Sequence, residues 1–266
     1  MKRWGRQAIA MLLALAASGP GLAQEGVRTK AQAEGEKQAR AAIEQSIQAL
    51  GGKAFLEVRD IKSNGRYYRF RKGANSVGVV YQDYTRLPNK SRYEEGTKKK
   101  DKEVTVYNLD LNKGWLLEGR KGVREAKPEE VDQFRRTVKH AVENVLRTRF
   151  NEPGVKLFYY GPNEVSGKVR SEAVELLDTE NDAVIVYFDA RTRLPIKLEY
   201  TEVSTDGRKQ KVEEEYTNWH NIQGVQTPLR VDILVDGELA NQRFVEKLSY
   251  NNSLPDTLFD KPQPEK

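Results

Sequence analysis

The sequence predicts a mainly β protein with two helices (α+β), in which a long antiparallel meander curls into an open shell. Most of the chain alternates apolar and polar residues with a period of two, the spacing of a strand with one buried face. Turn-forming pairs such as Asp236-Gly237 separate these runs. Only two segments have helical periodicity, which is too few to cover both faces of such a sheet. The apolar face therefore becomes the inside of a curved shell that the helices close in part.

The N-terminus has the three parts of a secretory signal peptide. It begins with three basic residues, continues with an apolar run over residues 8–17, and ends with the small residues Gly21 and Ala23. We predict residues 1–23 to be the signal, with cleavage after Ala23 and a mature chain that starts at Gln24. A membrane anchor is the alternative, but the apolar run is shorter than the roughly 20 residues that span a bilayer.

Composition narrows the class of partner. Of the 266 residues, 38% are hydrophobic, which is enough for one domain with its own core. Three of the six net positive charges belong to the signal, which leaves +3, so we do not expect nucleic acid as a partner. GRYYRFRKG, residues 65–73, alternates Arg with aromatics, a pattern that could indicate stacking on nucleic-acid bases. We favour the other interpretation, an antiparallel strand with Arg at its solvent-exposed edge. The chain has no cysteine, so it has neither a disulfide nor a lipid-anchor cysteine at position 24.

The mature chain begins with a flexible segment and a helix. Residues 24–36 are small and polar, and we predict a flexible N-terminal segment there. An amphipathic helix follows and ends at Gly51-Gly52. Its apolar positions, at spacings of four, four and three, are Ala39, Ile43, Ile47 and Leu50.

Strands follow over residues 59–118, where the period changes to two and aromatic and β-branched residues are frequent. The predicted turns lie at Lys72-Gly73, Asn89, Glu95-Gly96 and Asn112-Lys113-Gly114.

The second helix begins at Pro128, with Glu129 and Glu130 at its positive end, and runs to near Asn151. Its apolar stripe consists of Val131, Phe134, Val138, Ala141 and Val145. Strands then continue over residues 155–250. Their predicted turns lie at Asn181-Asp182, residues 191–194, Asp206-Gly207, Gln223-Gly224 and Asp236-Gly237.

The string TRLP occurs twice, at residues 85–88 and 192–195. A proline at the start of a strand has no ladder hydrogen bond to lose, so each copy is typical of a strand entry. Only the second copy continues with an apolar face. We therefore interpret the pair as two structural corners and not as a duplicated active site.

Four stretches carry a family resemblance: FDARTRLPIKLEY (188–200), VEEEYTNWHNIQGVQTPLRV (212–231), LPDTLFDKP (254–262) and the turn-Gly-Trp hairpin NLDLNKGWLLEG (108–119). They resemble the periplasmic lipoprotein-carrier (LolA-like) superfamily, which includes outer-membrane lipoprotein-sorting-protein-like members. The resemblance implies that residues 37–262 form an unclosed antiparallel β-barrel, a half-barrel, of about eleven strands. It also implies a helical lid over an apolar concave face and a periplasmic location.

The resemblance implies a binding or carrier protein that holds an acyl chain or another hydrophobic group, from a lipid or a lipoprotein, in an apolar cavity. The alternative is a cell-envelope interaction or sensor module of the same fold, with an envelope protein as partner and no transported ligand. A fully packed core would use the same apolar residues as a ligand site. The candidate ligand-binding residues, from strand parity and helix stripe, are Phe134, Val138, Ile196, Leu198, Tyr200, Val231 and Ile233, with Trp115 at the rim.

No catalytic motif singles out an enzyme. His140 and Glu143 lie one helical turn apart, but a metal site needs a third ligand, and a packing histidine is the favoured interpretation. Asp178, Glu180 and Asp182 alternate like the start of a calcium loop but lack its later Gly and Glu, which favours a charged hairpin end. We therefore predict no enzyme, no cofactor and no metal.

Overall fold

The computed structural model describes residues 21–70, 76–96, 102–165, 169–204 and 207–263, with side chains from residue 30 onward except at residue 120. The helices are α1 (Gly21–Ala49), α2 (Lys53–Leu56), α3 (Pro128–His140) and α4 (Val142–Arg147). The strands are β1 (Asp60–Arg69), β2 (Val79–Arg86), β3 (Lys90–Glu95), β4 (Glu103–Asn108), β5 (Lys113–Glu118), β6 (Val123–Glu125), β7 (Lys156–Val165), β8 (Val169–Leu177), β9 (Ala183–Asp189), β10 (Pro195–Val203), β11 (Lys209–Ile222), β12 (Val225–Val235) and β13 (Glu238–Tyr250).

The strands form one antiparallel sheet with two arms that meet at its centre. The spatial order is β6-β5-β4-β3-β2-β1-β13-β12-β11-β10-β9-β8-β7. The first and last strands, β1 and β13, pair with each other, and Ile61 stands opposite Tyr250. The edge strands β6 and β7 do not pair, so the sheet is an unclosed barrel. The predicted half-barrel is confirmed.

The described residues contain thirteen strands rather than about eleven. One addition is β6, a strand of three residues that follows β5 after a short 3₁₀ turn. The other arises because residues 155–177, predicted as one strand, divide into the hairpin β7–β8.

The tight turns confirm the predictions from local sequence. Gln223 and Gly224 have φ values of 52° and 83°, and Asp236 and Gly237 have values of 50° and 81°. Two consecutive left-handed residues form the turn that fits the twist of a β-hairpin, and glycine is the residue that adopts the second position without strain. The turns predicted at residues 72–73 and at Asp206 lie outside the described residues.

The two TRLP strings differ in position. Pro195 is the first residue of β10, as predicted for a strand entry. Pro88 instead lies in the turn between β2 and β3, after a cis Leu87-Pro88 bond, and β3 begins only at Lys90. The prediction of a strand entry is wrong for the first copy, because that string connects the two strands of a hairpin and its proline lies within the turn.

Helix α1 has the predicted apolar stripe, and each of its predicted positions is buried. The helix ends as expected, because the N–H of Gly52 donates to the carbonyl of Ile47 at 2.9 Å. The backbone N–H of Gln226 donates to the carbonyl of Leu50, which docks the helix end on the β11–β12 turn. The helix begins at Gly21 and so includes residues 24–36, whose flexibility stays a prediction. Among the described residues, no helix combines the length and apolarity needed to cross a membrane.

The second predicted helix is broken into α3 and α4 at Ala141, whose ψ of 128° is extended. In an unbroken helix the carbonyl of Val138 accepts a backbone hydrogen bond from four residues ahead. Here it accepts from the side-chain amide of Asn144 at 2.8 Å instead. The prediction of one continuous helix to Asn151 is therefore wrong. The helix can break at Ala141 because the side chain of Asn144 supplies the hydrogen bond that the backbone no longer donates to Val138.

The sheet has an apolar core on each face. The concave core lies under α1 and α4 and includes Ile43, Val145, Val186 and Leu198. The convex core lies on the opposite face of the N-terminal arm and consists of Val104, Val106, Leu117, Leu254 and Phe259. The last two belong to the C-terminal tail, residues 251–263, which crosses the outside of the sheet.

Candidate functional site

A cavity of about 330 Å³ lies between the concave face and the lid, which is formed by α3 and α4. Phe134 and Val138 line it from α3, and Val231, Ile233 and Leu248 line it from β12 and β13. This volume lies at the lower end of the range for small-molecule sites, which is roughly 300 to 1,000 Å³. The two helices therefore do not fill the concave face with their own side chains.

Helix α3 bridges the two arms of the sheet. On the N-terminal arm, the ring of Phe134 stacks on Tyr107 with centroids 4.4 Å apart. On the C-terminal arm, the side-chain amide of Gln133 donates to the carboxylate of Glu202 on β10 at 3.0 Å. The lid thus spans the open side of the half-barrel.

An ionic latch fastens the end of α3 to the β8–β9 turn. The ammonium of Lys139 lies 2.6 Å from Asp178, 2.9 Å from Glu180 and 2.9 Å from Asp182. His140 Nε2 lies 3.0 Å from Asp182. The three carboxylates that resemble a calcium loop in the sequence therefore do converge, but a lysine of the chain itself contacts all three. We use "latch" for these five residues.

The latch is charged at neutral pH. Burial opposes the ionisation of Asp182, but hydrogen bonds from His140 and Lys139 outweigh it and lower the pKa of Asp182 to about 2. The same carboxylates raise the pKa of Lys139 against the effect of its burial. Lys139 and Asp182 therefore keep their charges across the physiological pH range.

A second set of hydrogen bonds fastens α4 near the other end of the cavity. The guanidinium of Arg147 donates to the carbonyl of Leu56 at 2.7 Å and to the carbonyl of Val58. Leu56 is the last residue of α2, and Val58 lies in the connection to β1, where the chain enters the sheet. Both lid helices are thus held by side chains and not by packing alone.

Six charged side chains interrupt the apolar lining of the cavity, and two of them are Arg147 and Lys90, which pairs with Asp110 and Asp256. The other four come from different elements. Asp83, Glu214 and Arg243 belong to β2, β11 and β13, and Glu143 belongs to α4. Burial raises the pKa of Asp83 to about 6 and also raises the pKa of Glu214. In the described part of the chain, Arg243 forms no ion pair or hydrogen bond with another side chain and interacts with these carboxylates at longer range.

Half of the predicted ligand-binding residues reach the cavity: Phe134, Val138, Val231 and Ile233 line it. Leu198 lies fully buried in the concave core. Tyr200 lies against the ring of His140, with centroids 4.1 Å apart. Both pack with the concave core, as the predicted face requires, but neither lines the cavity. Ligand contact by these residues stays a prediction.

Ile196 and Trp115 lie elsewhere. Ile196 stands at an irregularity of β10, where the register with β9 shifts, and it does not line the cavity. Trp115 stands opposite Val106 in the β4–β5 pair and packs with the convex core. The predicted rim position of Trp115 is therefore wrong, because strand register puts this side chain on the outer face.

Three solved structures share the architecture, whereas no protein-family model and no curated protein matches the sequence. A DUF1329 family protein from Desulfovibrio piger aligns with a TM-score of 0.56 at 12% identity. A LolA superfamily protein from Nitrosomonas europaea aligns with a TM-score of 0.55 at 14% identity. The chain has a LolA-like fold. An outer membrane lipoprotein-sorting protein domain from Vibrio parahaemolyticus aligns with a TM-score of 0.51 at 10% identity. Each alignment covers 84% of this chain and 97% of the other chain.

Within this LolA-like fold, the charged residues of the cavity are the ones that the sequence did not single out. Strand parity offered a signal for one of them. Glu214 alternates with Val212 and Tyr216, which are both buried, so the three side chains share a face. Arg243 had a weaker signal, because it alternates with the buried Val245 on one side but with the polar Asn241 on the other.

Proposed function

We propose that this protein is a periplasmic binding or carrier protein that holds an acyl chain, or another hydrophobic group of a lipid or lipoprotein, in the cavity between sheet and lid. The observation that supports the proposal most strongly is the cavity itself, which is mainly apolar and opens under a lid that side chains hold in place. The LolA-like fold is consistent with such a site. The proposal is for binding without catalysis.

Hydrophobic burial is large enough to drive such binding. Burying one methylene contributes about 0.8 kcal/mol, so a long acyl chain contributes on the order of 10 kcal/mol before the cost of ordering it. The choice among different hydrophobic ligands then depends on a few polar groups in the site.

Periplasmic location is part of the proposal and rests on the N-terminal pattern, most of which lies outside the described residues. N-terminal sequencing of the exported protein tests it. We expect the mature chain to begin at Gln24. A chain that keeps its first 23 residues after export contradicts the predicted cleavage.

Solvent extraction of the purified protein, followed by mass spectrometry, tests for a bound ligand. We expect acyl-containing species at a constant ratio to protein. Val138→Trp places a larger side chain into the cavity from the lid and should lower that ratio several-fold. Arg136→Trp makes the same kind of change on the exposed side of α3 and should leave the ratio unchanged.

The outcome also separates the proposal from its alternative. A folded protein whose extract contains no lipid, and which takes up no added amphiphile, contradicts carriage. That result supports an envelope interaction or sensor module without a transported ligand. Equal loss of lipid in both tryptophan variants contradicts the cavity as the binding site.

A further inference from the structure

Four of the six charged side chains that line the cavity interact electrostatically with one another and carry an excess of negative charge. The other two are engaged elsewhere, because Lys90 pairs with Asp110 and Asp256 and Arg147 donates to backbone carbonyls. We call Asp83, Glu143, Glu214 and Arg243 the inner charge cluster: three carboxylates and one guanidinium, all lining the same cavity. Three of them are carried by the sheet and one by the lid, so they face the cavity from both sides. A ligand under the lid therefore lies between them.

Strand register holds the sheet members of the cluster on one face. Arg243 stands opposite Val231, which in turn stands opposite Tyr216. The hydroxyl of Tyr216 donates to the carboxylate of Glu214 at 2.8 Å, which fixes that acceptor at the cavity wall. The cluster is thus built into the sheet and does not depend on mobile surface side chains.

Tyr81 lies behind the cluster and does not itself line the cavity. Its side chain is fully buried on β2, two positions from Asp83, and its hydroxyl has no hydrogen-bond partner. Asp83 and Arg243 both act on the pKa of this phenol, which burial raises, so the hydroxyl lies within electrostatic range of the cluster.

Arg243 also has unused donors. Its guanidinium carries five N–H groups, and no acceptor from a described side chain is bonded to them. A head group in the cavity can therefore accept from Arg243 while it donates to the carboxylates. A hydroxyl meets both requirements, a protonated amine meets only the second, and a carboxylate meets only the first.

We propose that the cavity selects amphiphiles whose head group donates hydrogen bonds and carries no net negative charge, in preference to long-chain carboxylates and other anionic amphiphiles. This inference rests on the proposed function, because it names the ligand class of the same site. A ligand carboxylate would join three protein carboxylates around one guanidinium, and like charges in a poorly solvated site repel strongly.

Calorimetric titration with three probes that share one tail tests the inference: dodecylamine, 1-O-dodecylglycerol and dodecanoate. Each is used at about pH 7.5 and below its micelle-forming concentration. We expect the amine and the glycerol ether to bind at least about tenfold more tightly than dodecanoate, which is a smaller effect than one close charge pair has near a protein surface. Equal or tighter binding of dodecanoate overturns the inference and leaves the proposed function intact. Binding of none of the three contradicts the proposed function.

Variants tie the selectivity to the cluster. Glu214→Gln should narrow the gap between amine and carboxylate by roughly tenfold, and Asp83→Asn, on another strand, should narrow it independently. Glu215→Gln is the matched control, because it removes the same charge one position along β11 on the opposite face of the sheet. Thermal unfolding checks that each variant is folded. Selectivity that both cluster variants leave unchanged, or that Glu215→Gln changes equally, overturns the assignment.

Discussion

Asp83 places a carboxylate on the concave face, beside the buried Tyr81 and against the cavity. Burial raises its pKa from the ordinary 3.8 to about 6. The folded state therefore holds the proton of Asp83 more tightly than the unfolded state does. The contribution of this group to stability is highest below about pH 4, decreases between about pH 4 and pH 6, and is constant above that window.

Asp83→Asn should remove this pH dependence. A shift of about two pKa units corresponds to on the order of 3 kcal/mol, so the variant should gain about that much free energy of unfolding relative to the parent at about pH 8. The two proteins should be equally stable below about pH 4. Urea denaturation across this range measures the difference. Asp132→Asn, at an exposed position of α3, is the control and should show no such change. A difference that is independent of pH contradicts the assignment of the shift to Asp83.

For single residues, the alternation of apolar and polar positions predicted most of the apolar side chains that line the cavity, but it did not predict its charged side chains. Phe134, Val138, Val231 and Ile233 line the cavity as the alternation predicts. Trp115 failed because the face of a strand depends on pairing register, which no local spacing in the sequence determines.

Among the elements, the lid depends on specific ionic contacts. The latch joins the end of α3 to the β8–β9 turn, and Arg149, just beyond α4, adds a contact to Asp178 at 3.2 Å. The pKa of Asp182 is depressed, so this carboxylate stabilises the fold above pH 3.8, and the contribution is lost as the pH falls towards about 2. The sign is opposite to that of Asp83.

Asp182→Asn should weaken the latch. The change leaves Lys139 and His140 without their shared carboxylate, and we expect a loss of about 1 to 2 kcal/mol in unfolding free energy at neutral pH. Hydrogen exchange of the α3 amides should become faster. Glu180→Gln is the matched control, because Glu180 also contacts Lys139 but is 79% exposed, where ion pairs contribute little. Equal effects of the two variants contradict a latch centred on Asp182.

The sequence predicted the helices and most strands because their periodicity is local. It did not predict the break at Ala141, since the apolar stripe continues through that residue and the break depends on the side chain of Asn144. Nor did it predict the latch, because Asp182 and His140 come together only when α3 crosses the sheet.

At the scale of the whole molecule, the two arms of the sheet are joined at its centre by chain segments that are far apart in sequence. Asp60, at the start of β1, accepts hydrogen bonds from the backbone N–H groups of Asn252 at 2.6 Å and Leu254 at 3.3 Å. The C-terminal tail then continues over the N-terminal arm and places Phe259 against the convex core. The two faces of one sheet therefore have separate tasks: the convex face joins the tail to the arm, and the concave face holds the cavity.

Phe259→Ala should weaken the contact between the C-terminal tail and the convex core without changing the cavity on the concave face. Phe259 is fully buried, and truncation of such a side chain costs about 3 to 5 kcal/mol, which should appear as a lower free energy of unfolding. Trp115 packs with the same convex core, so its fluorescence should shift to longer wavelength in a Trp219→Phe background. Trp219 lines the cavity on the other face, so binding is compared within the Trp219→Phe background. Addition of Phe259→Ala to that background should leave amphiphile affinity unchanged as long as the protein is folded. Thr257→Ala, at an exposed position of the same tail, should alter neither stability nor fluorescence. A change in cavity affinity that accompanies the shift of Trp115 would mean that the convex core and the binding site are coupled through the sheet, contrary to the separation that the fold predicts.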